Sequence, residues 1–457
     1  MIKHFYLLSA FLFLFCSFGM NAQTINNPKE LEMVLSRALT MQPFRDLTVE
    51  QRKPYIKSLV SMEARFIGRA VSLWGNEATV QNSWYFPSVK EMVDSIHIAY
   101  RAQNLAPPII QGAIFEIITP SVNQVQIPFY VLKQFSQVKA DQNIRNFNFD
   151  SICYLGNYQK DFFGKDNATP DVSRIETQMW YYFLATKFID AGIKAIHFGQ
   201  IDLIDDNDPG YLHFYHLLSE IRAYAHGKKS FILCDAHTSN GKYYSQTAKV
   251  QADSLLKKYG LKKYTDLKTK KRIDLNEENK QLPTDSRELR LVFDFHSYPT
   301  RPDETGINNE GQKTCIINPK FGIYFKSKGG WSPFLGFYLK APYIVEIDNG
   351  EGLVDERFPI TLEWNVWGSD EISWYKNLND GYRKQFSNEA YFAINKIDVN
   401  GFFQIPFLRG DFSLLMRGED FIKKIWDEKE LDFTMPYIKE NYFLLENFQA
   451  DYLIPVH

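Results

Sequence analysis

The sequence predicts an α/β protein built as a (β/α)8 barrel. Short apolar runs alternate with helix-length amphipathic segments about eight times over roughly 250 residues or more, a rhythm that parallel strands and crossover helices produce. Most of the apolar runs end in polar side chains, as expected where ligands sit beyond the carboxyl ends of buried parallel strands. No Gly-rich phosphate turn follows the first run, which counts against a doubly wound dinucleotide-binding sheet.

The first 22 residues read as a signal peptide. Lys3 precedes an apolar run from Phe5 to Phe18, and Gly19-Met20-Asn21-Ala22 supplies small residues for a cut after Ala22. Bulky Phe15 directly before Cys16 does not suit a lipoprotein signal. No later segment reaches the ~18 uninterrupted apolar residues of a membrane span, so the mature chain is expected to be secreted or periplasmic, with no membrane anchor. Three cysteines then remain, Cys153, Cys234 and Cys315, an odd number that suits buried thiols better than a disulfide framework. At 457 residues, 45% hydrophobic and 23% charged, the chain can bury a large core, and its net charge of −2 offers no footprint for nucleic acid. Aromatic residues reach 16%, a composition that suits sugar-stacking surfaces and also a plain large core.

Taken in order, residues 24–62 read as an N-terminal helical cap, with Leu31, Val34, Leu35, Ala38 and Leu39 on one stripe. The barrel is expected over 64–407. Its first strand spans Ala64–Leu73, with Arg65 and Arg69 on one face, and a helix covers Val89–Tyr100. The second strand, Ile109–Ile118, carries Glu116 inside an apolar run. A helix over Ile127–Phe135 leads to a third strand near Ser151–Leu155, and the amphipathic helix Arg174–Ala191 is closed by Gly192 at its C-cap. The fourth strand, Lys194–Ile204, places Phe198, Gln200 and Asp202 on one face and His197 on the other, as a packing residue. The acidic turn 205–210 reads as a capping loop for the helix Tyr211–His226, whose histidines are expected to be structural. Strands follow at Ser230–Asp235, Leu289–His296, Tyr343–Asp348 and Phe402–Pro406, with helices at Thr247–Tyr259 and Glu371–Phe386. A charged excursion, Leu261–Arg290, reads as solvated, whereas the long insertion after the sixth strand, Pro299–Pro342, would lie on the catalytic face. Residues 408–457 are expected to pack on the barrel as a C-terminal extension.

Three of these runs end in polar residues two apart: Asp235 and His237, Asp294 and His296, Glu346 and Asp348. Side chains at i and i+2 share a face of a strand, so each run delivers two polar groups to one side. With Glu116, Gln200 and Asp202 they form a crowd of carboxylates at one mouth, suited to chemistry that needs one protonated and one ionised acid. Trp74, Trp331 and Trp367 are candidates for lining a sugar cleft, and Trp84, Trp364 and Trp374 lie nearby in sequence. In this respect the chain resembles the TIM-barrel glycoside hydrolases, on strand order and on Glu346 ending the seventh strand. The resemblance implies that Glu346 is a nucleophile and that Asp202, Asp235 or Glu116 supplies the acid, with Asp294 beside them. Gln200, His237, His296 and Asp348 would then bind carbohydrate, with no cofactor. The chain departs from that pattern where an Asn-Glu pair would end the fourth strand, since Gly199-Gln200 stands there. Two alternatives remain open. A divalent metal held by His237 and His296 with Asp235, Asp294 and Glu346 would activate water for amide or ester hydrolysis. A barrel that binds glycan without cleaving it is the other.

Overall fold

A computed structural model describes residues 28–137, 144–208, 212–237, 294–300, 302–307, 313–317, 343–347, 375, 379–397, 401–408 and 412–432. Ten strands are described: β1 (Ala38–Gln42), β2 (Phe66–Leu73), β3 (Ile109–Ile114), β4 (Ala195–Gln200), β5 (Leu233–His237), β6 (His296–Thr300), β7 (Pro302–Ile307), β8 (Lys313–Ile317), β9 (Tyr343–Ile347) and β10 (Gly401–Leu408). Eight of them are parallel and close on themselves in the order β1-β10-β9-β6-β5-β4-β3-β2, while β7 and β8 form a separate antiparallel pair. The helices are α1 (Pro28–Leu35), α2 (Val49–Met62), α3 (Tyr85–Ala102), α4 (Phe129–Gln134), α5 (Phe149–Ile152), α6 (Ile175–Asp190), α7 (Leu212–Gly227), α8 (Asp380–Ile397) and α9 (Ser413–Asp432). Helices follow six of the barrel strands; the connections after β5 and β6 fall largely outside the described residues, as do the expected helix Thr247–Tyr259 and the excursion 261–290.

Local chemistry explains the helix boundaries. Thr48 caps α2 in a reciprocal box with Gln51, and Glu63 ends that helix in the left-handed region at φ 55°. Helix α6 is buried nearly all round because the excursion between β3 and β4 covers its outer side. Arg145, on that excursion, holds the buried Glu176 carboxylate of α6 through two bonds of 2.7 and 2.8 Å. The Asp208 carboxylate accepts the first-turn amides of His213 and Phe214 at 2.7 and 3.0 Å, so the acidic turn is a capping loop, as expected.

The barrel interior is layered. Ala38, Phe66, Ile109, Ala195, Leu233, Phe295, Ile344 and Phe402, one from each strand or its immediate start, make one apolar cluster with Leu31, Val34 and Leu35 of α1. Helix α1 therefore plugs the amino-terminal end of the barrel. The next residues inward along the strands are polar and buried: Thr40, Gln111, His197, Asp235, Glu346 and Gln404.

Three expectations are corrected by this arrangement. The segment read as a helical cap contains β1, which pairs with both β2 and β10 and completes the sheet. Its apolar residues serve two elements, so helical periodicity carried across the junction. Ser151–Leu155 is not a strand, since Phe149–Ile152 forms α5, capped by the Asn148 side chain on the Ser151 amide at 2.8 Å. One strand missed and one added leave the count from β4 onward unchanged. The sixth strand starts at His296, opposite Tyr343, instead of ending there. The helix after β10 runs to Asp432 and packs on α2 and α8. Cys153 and Cys234 are buried free thiols. No described helix is long and apolar enough to cross a membrane.

Candidate active site

Two β-bulges shape the polar layer. In β2 the register shifts between Ile67 and Val71, and Arg69 takes φ 51°, a strained left-handed conformation for a long side chain. In β4 the register shifts between His197 and Gln200, with Gly199 at φ 62°. A Cβ on Gly199 would collide with the Glu116 carboxylate, so conformation and close approach both demand glycine there. The second bulge breaks strand parity. Phe198 packs outward on Tyr181 and Phe214 of the helices, and His197, expected to face away, turns inward. It stands opposite Asp235 in register.

The inward side chains form a closed circuit. The Arg69 backbone N–H donates to Gln111 Oε1 at 3.0 Å, and Gln111 Nε2 donates to Asp235 Oδ1. Asp235 Oδ2 accepts from His197 Nδ1 at 2.8 Å. The His197 and His237 rings meet edge to face, centroids 4.7 Å apart. His237 Nε2 bonds Glu346 Oε1 at 2.5 Å, and Glu346 Oε2 accepts from the Arg69 guanidinium. Gln404, the register partner of Glu346, fills the space a Gly68 side chain would need and donates to the Leu39 carbonyl at 3.3 Å. His197 Nε2 is buried without a hydrogen-bond partner among the described residues.

Electrostatics separate the two glutamates. Burial pushes the Glu346 carboxyl up, but the Arg69 charge and the His237 hydrogen bond and charge outweigh it and hold the group well below the usual carboxylate range. Glu116 lies two residues beyond β3 and accepts the Gln200 backbone N–H at 3.1 Å. Burial raises its carboxyl above the usual value, and its own backbone amide, that of Gln200, His237 and His197 offset only part of the rise.

Of the other residues singled out from sequence, Asp235 and His237 share a face of β5 as expected and both enter the circuit. Asp294 does not: it precedes β6, accepts from the Cys234 backbone N–H at 2.6 Å and from Arg222 of α7 at 3.1 Å, and so ties the sheet to a helix. His296 opens β6, three residues before Pro299, the partner of Glu346; its side chain lies outside the described residues, as do that of Asp202, on the turn after β4, and all of Asp348, Trp331, Trp364, Trp367 and Trp374. Gln200 ends β4 and is partly buried. Trp74, 47% exposed at the end of β2, meets Phe115 and Phe163 edge-on at 5.3 and 5.5 Å, and Phe115 in turn meets His197 at 6.2 Å. Trp84 is exposed with Arg45 5.6 Å over its ring. Arg65 bonds the Met33 carbonyl at 3.2 Å, so of the two arginines only Arg69 reaches the circuit. Gln111, His197 and Gln404 were not foreseen as site residues. Gly199, two residues after the inward His197, was the available signal, because glycine inside a strand marks a bulge.

No protein-family model matches the chain. Comparison with curated proteins gives no match. Among solved structures it is similar to a Flavobacterium johnsoniae GH31 dextranase complexed with isomaltotriose, at 10% identity and a TM-score of 0.41 over 89% of this chain and 40% of that one. It is similar to an Arthrobacter globiformis isomalto-dextranase complexed with panose (10%, 0.38, covering 89% and 59%) and to a Geobacillus stearothermophilus GH27 β-L-arabinopyranosidase (9%, 0.30, covering 80% and 78%). The chain thus spans under two thirds of the first two proteins, and its resemblance to glycoside hydrolases is distant and at the level of the fold.

Proposed function

We propose that the chain is an exported glycoside hydrolase of the (β/α)8 type, cleaving an oligo- or polysaccharide. One observation carries the reading: two buried carboxyls, Glu346 and Glu116, are set at the carboxyl ends of barrel strands in opposite surroundings around the same pair of histidines. Glu346, neutralised by Arg69 and His237, is suited to act as the ionised nucleophile or base. Glu116, buried against backbone amides, is suited to hold a proton for the leaving oxygen. Trp74, edge-on to rings that lead to His197, is the aromatic residue nearest in this chain of contacts to a stacking role toward a sugar.

A library of oligosaccharides and aryl glycosides tests this. Glu346→Gln should lower kcat by ~1,000-fold or more on any substrate that is cleaved. Glu116→Gln should cost as much on natural linkages but much less on aryl glycosides with an acidic phenol, whose departure needs no proton. Near-normal turnover by Glu346→Gln would place the chemistry elsewhere, and binding of one glycan without hydrolysis would favour a lectin-like role.

A metal-dependent hydrolase is a second reading, with a different ligand set from the one expected. A ring nitrogen of each of His197 and His237 and an oxygen of Glu346 lie within 4.8 Å of one another, and Asp235 supports His197 as carboxylates support metal-bound histidines. The Arg69 guanidinium on Glu346 weighs against it, because a dication would share that carboxylate with a second positive charge. Stoichiometric zinc or manganese in protein purified without added metal, lost together with activity on chelation, would reverse the order of the two readings.

A further inference from the structure

We propose that a directional relay from the Arg69 backbone fixes the tautomer of His197, so that its Nε2 lone pair accepts a hydrogen bond from a hydroxyl of the bound sugar. The substrate half of this rests on the glycosidase reading, and the tautomer half stands on the geometry alone.

Each member of the relay has one allowed sense. A backbone N–H can only donate, so the group it meets at 3.0 Å on Gln111 is the oxygen, Oε1. The Gln111 amide nitrogen must then face Asp235, where it donates to Oδ1. The remaining oxygen, Oδ2, faces His197 Nδ1 at 2.8 Å, and an ionised carboxylate can only accept there. Nδ1 therefore carries the proton, and in the neutral ring Nε2 is left with its lone pair. That atom is buried and has no hydrogen-bond partner among the described residues. Buried polar atoms are rarely left unsatisfied, and one that is calls for an explanation such as a catalytic role or a bound water or ion. The ring it belongs to touches His237, which holds Glu346, so a hydroxyl that meets Nε2 lies beside the carboxylate assigned to the chemistry. Asp235 and Gln111 are positioning residues in this scheme, and His197 is the group that touches substrate.

The relay predicts the effect of Asp235→Asn. Gln111 still presents its NH2, so the oxygen of the substituted amide must turn toward Gln111 and its NH2 toward His197. Nδ1 then has to accept, the proton moves to Nε2, and the acceptor becomes a donor. Imidazole 15N NMR on full-length protein reads this directly. Wild type at neutral pH is expected to show a protonated Nδ1 and a bare Nε2 at His197, and Asp235→Asn the inverse; a wild-type ring protonated at Nε2 overturns the relay whatever the activity. The hydroxyl is tested with the parent glycoside and its monodeoxy analogues. His197→Ala should lower kcat/KM by about 10- to 100-fold on the parent and on all analogues but one, on which wild type and variant should differ by less than about threefold. Equal losses on every analogue would assign His197 a structural role and overturn the contact. A protein that cleaves no glycoside at all overturns the functional reading and the hydroxyl assignment with it, whereas the tautomer is still decided by the NMR arm.

Discussion

Glu346 and Glu116 show how little residue type says about acid–base role, since both are buried glutamates at strand ends and they titrate in opposite directions. The difference gives a signed pH dependence. Activity should fall as pH drops through the lowered value of Glu346, where the base is lost, and fall as pH rises through the elevated value of Glu116, where the acid is lost. In the pH profile of kcat/KM, Glu116→Gln should remove the alkaline limb. The same residue has a stability consequence. Its folded value lies above that of the unfolded chain, so its favourable contribution is complete below the unfolded value and is lost as pH rises through the folded one. Glu116→Gln should therefore raise Tm at neutral pH, with the advantage shrinking toward pH ~4. A lower Tm for the variant at neutral pH would mean that Glu116 is held by contacts its charge needs. Glu346 stood out in sequence because it ended an apolar run, two residues before Asp348. His197 did not, because strand alternation assigned it to the wrong face.

The strands β2 and β4 owe their part in the site to bulges, and a bulge adds a residue without changing hydrophobic pattern enough to be read from it. Gly199→Ala tests the dependence. The new methyl would collide with the Glu116 carboxylate in a conformation alanine resists, so stability should fall by about 1–3 kcal/mol and activity should fall beyond that loss, measured by denaturant unfolding and by kcat/KM on folded protein. A normal kcat/KM would separate Glu116 from the chemistry. Helix α7 and the start of β6 are joined by the buried Arg222–Asp294 pair. Arg222→Met, which strands a buried carboxylate, should cost about 3–5 kcal/mol, while the kcat of the folded fraction should be unchanged. A selective loss of kcat in Asp294→Asn would return Asp294 to the site from which its contacts remove it.

Among the described residues the barrel is plugged at one end by α1 and polar in the layer above. Leu35 of α1 is fully buried in the plug, and Leu35→Ala should cost about 2–5 kcal/mol by unfolding, since a plug between helix and eight strands cannot collapse onto the cavity. A loss under about 1 kcal/mol would show that α1 is not needed to seal the barrel. Export is tested separately. Intact mass of the protein from its native cell should begin at Gln23, and retained Met1 or a lipid on Cys16 would count against the signal peptide.

Alternation of apolar runs with amphipathic segments was enough to specify an α/β chain with parallel strands, because burial on both faces of a parallel sheet writes itself into composition. The carboxylate on the seventh barrel strand and the shared face of Asp235 and His237 were legible for a similar local reason, the two-residue period of a strand. Strand β1 was not legible, because five residues between two helices carry too little periodicity to be told from either, and it is identified by partners at Phe66 and Ile405 that are remote in sequence. The helix at Phe149–Ile152 and the late start of β6 were lost in the same way, since hydrogen bonding to a neighbour sets where a strand begins. The circuit through Arg69, Gln111, Asp235, His197, His237 and Glu346 joins residues up to 277 positions apart. Its members are chosen by register and by two bulges, and register is a property of paired strands that no single strand records.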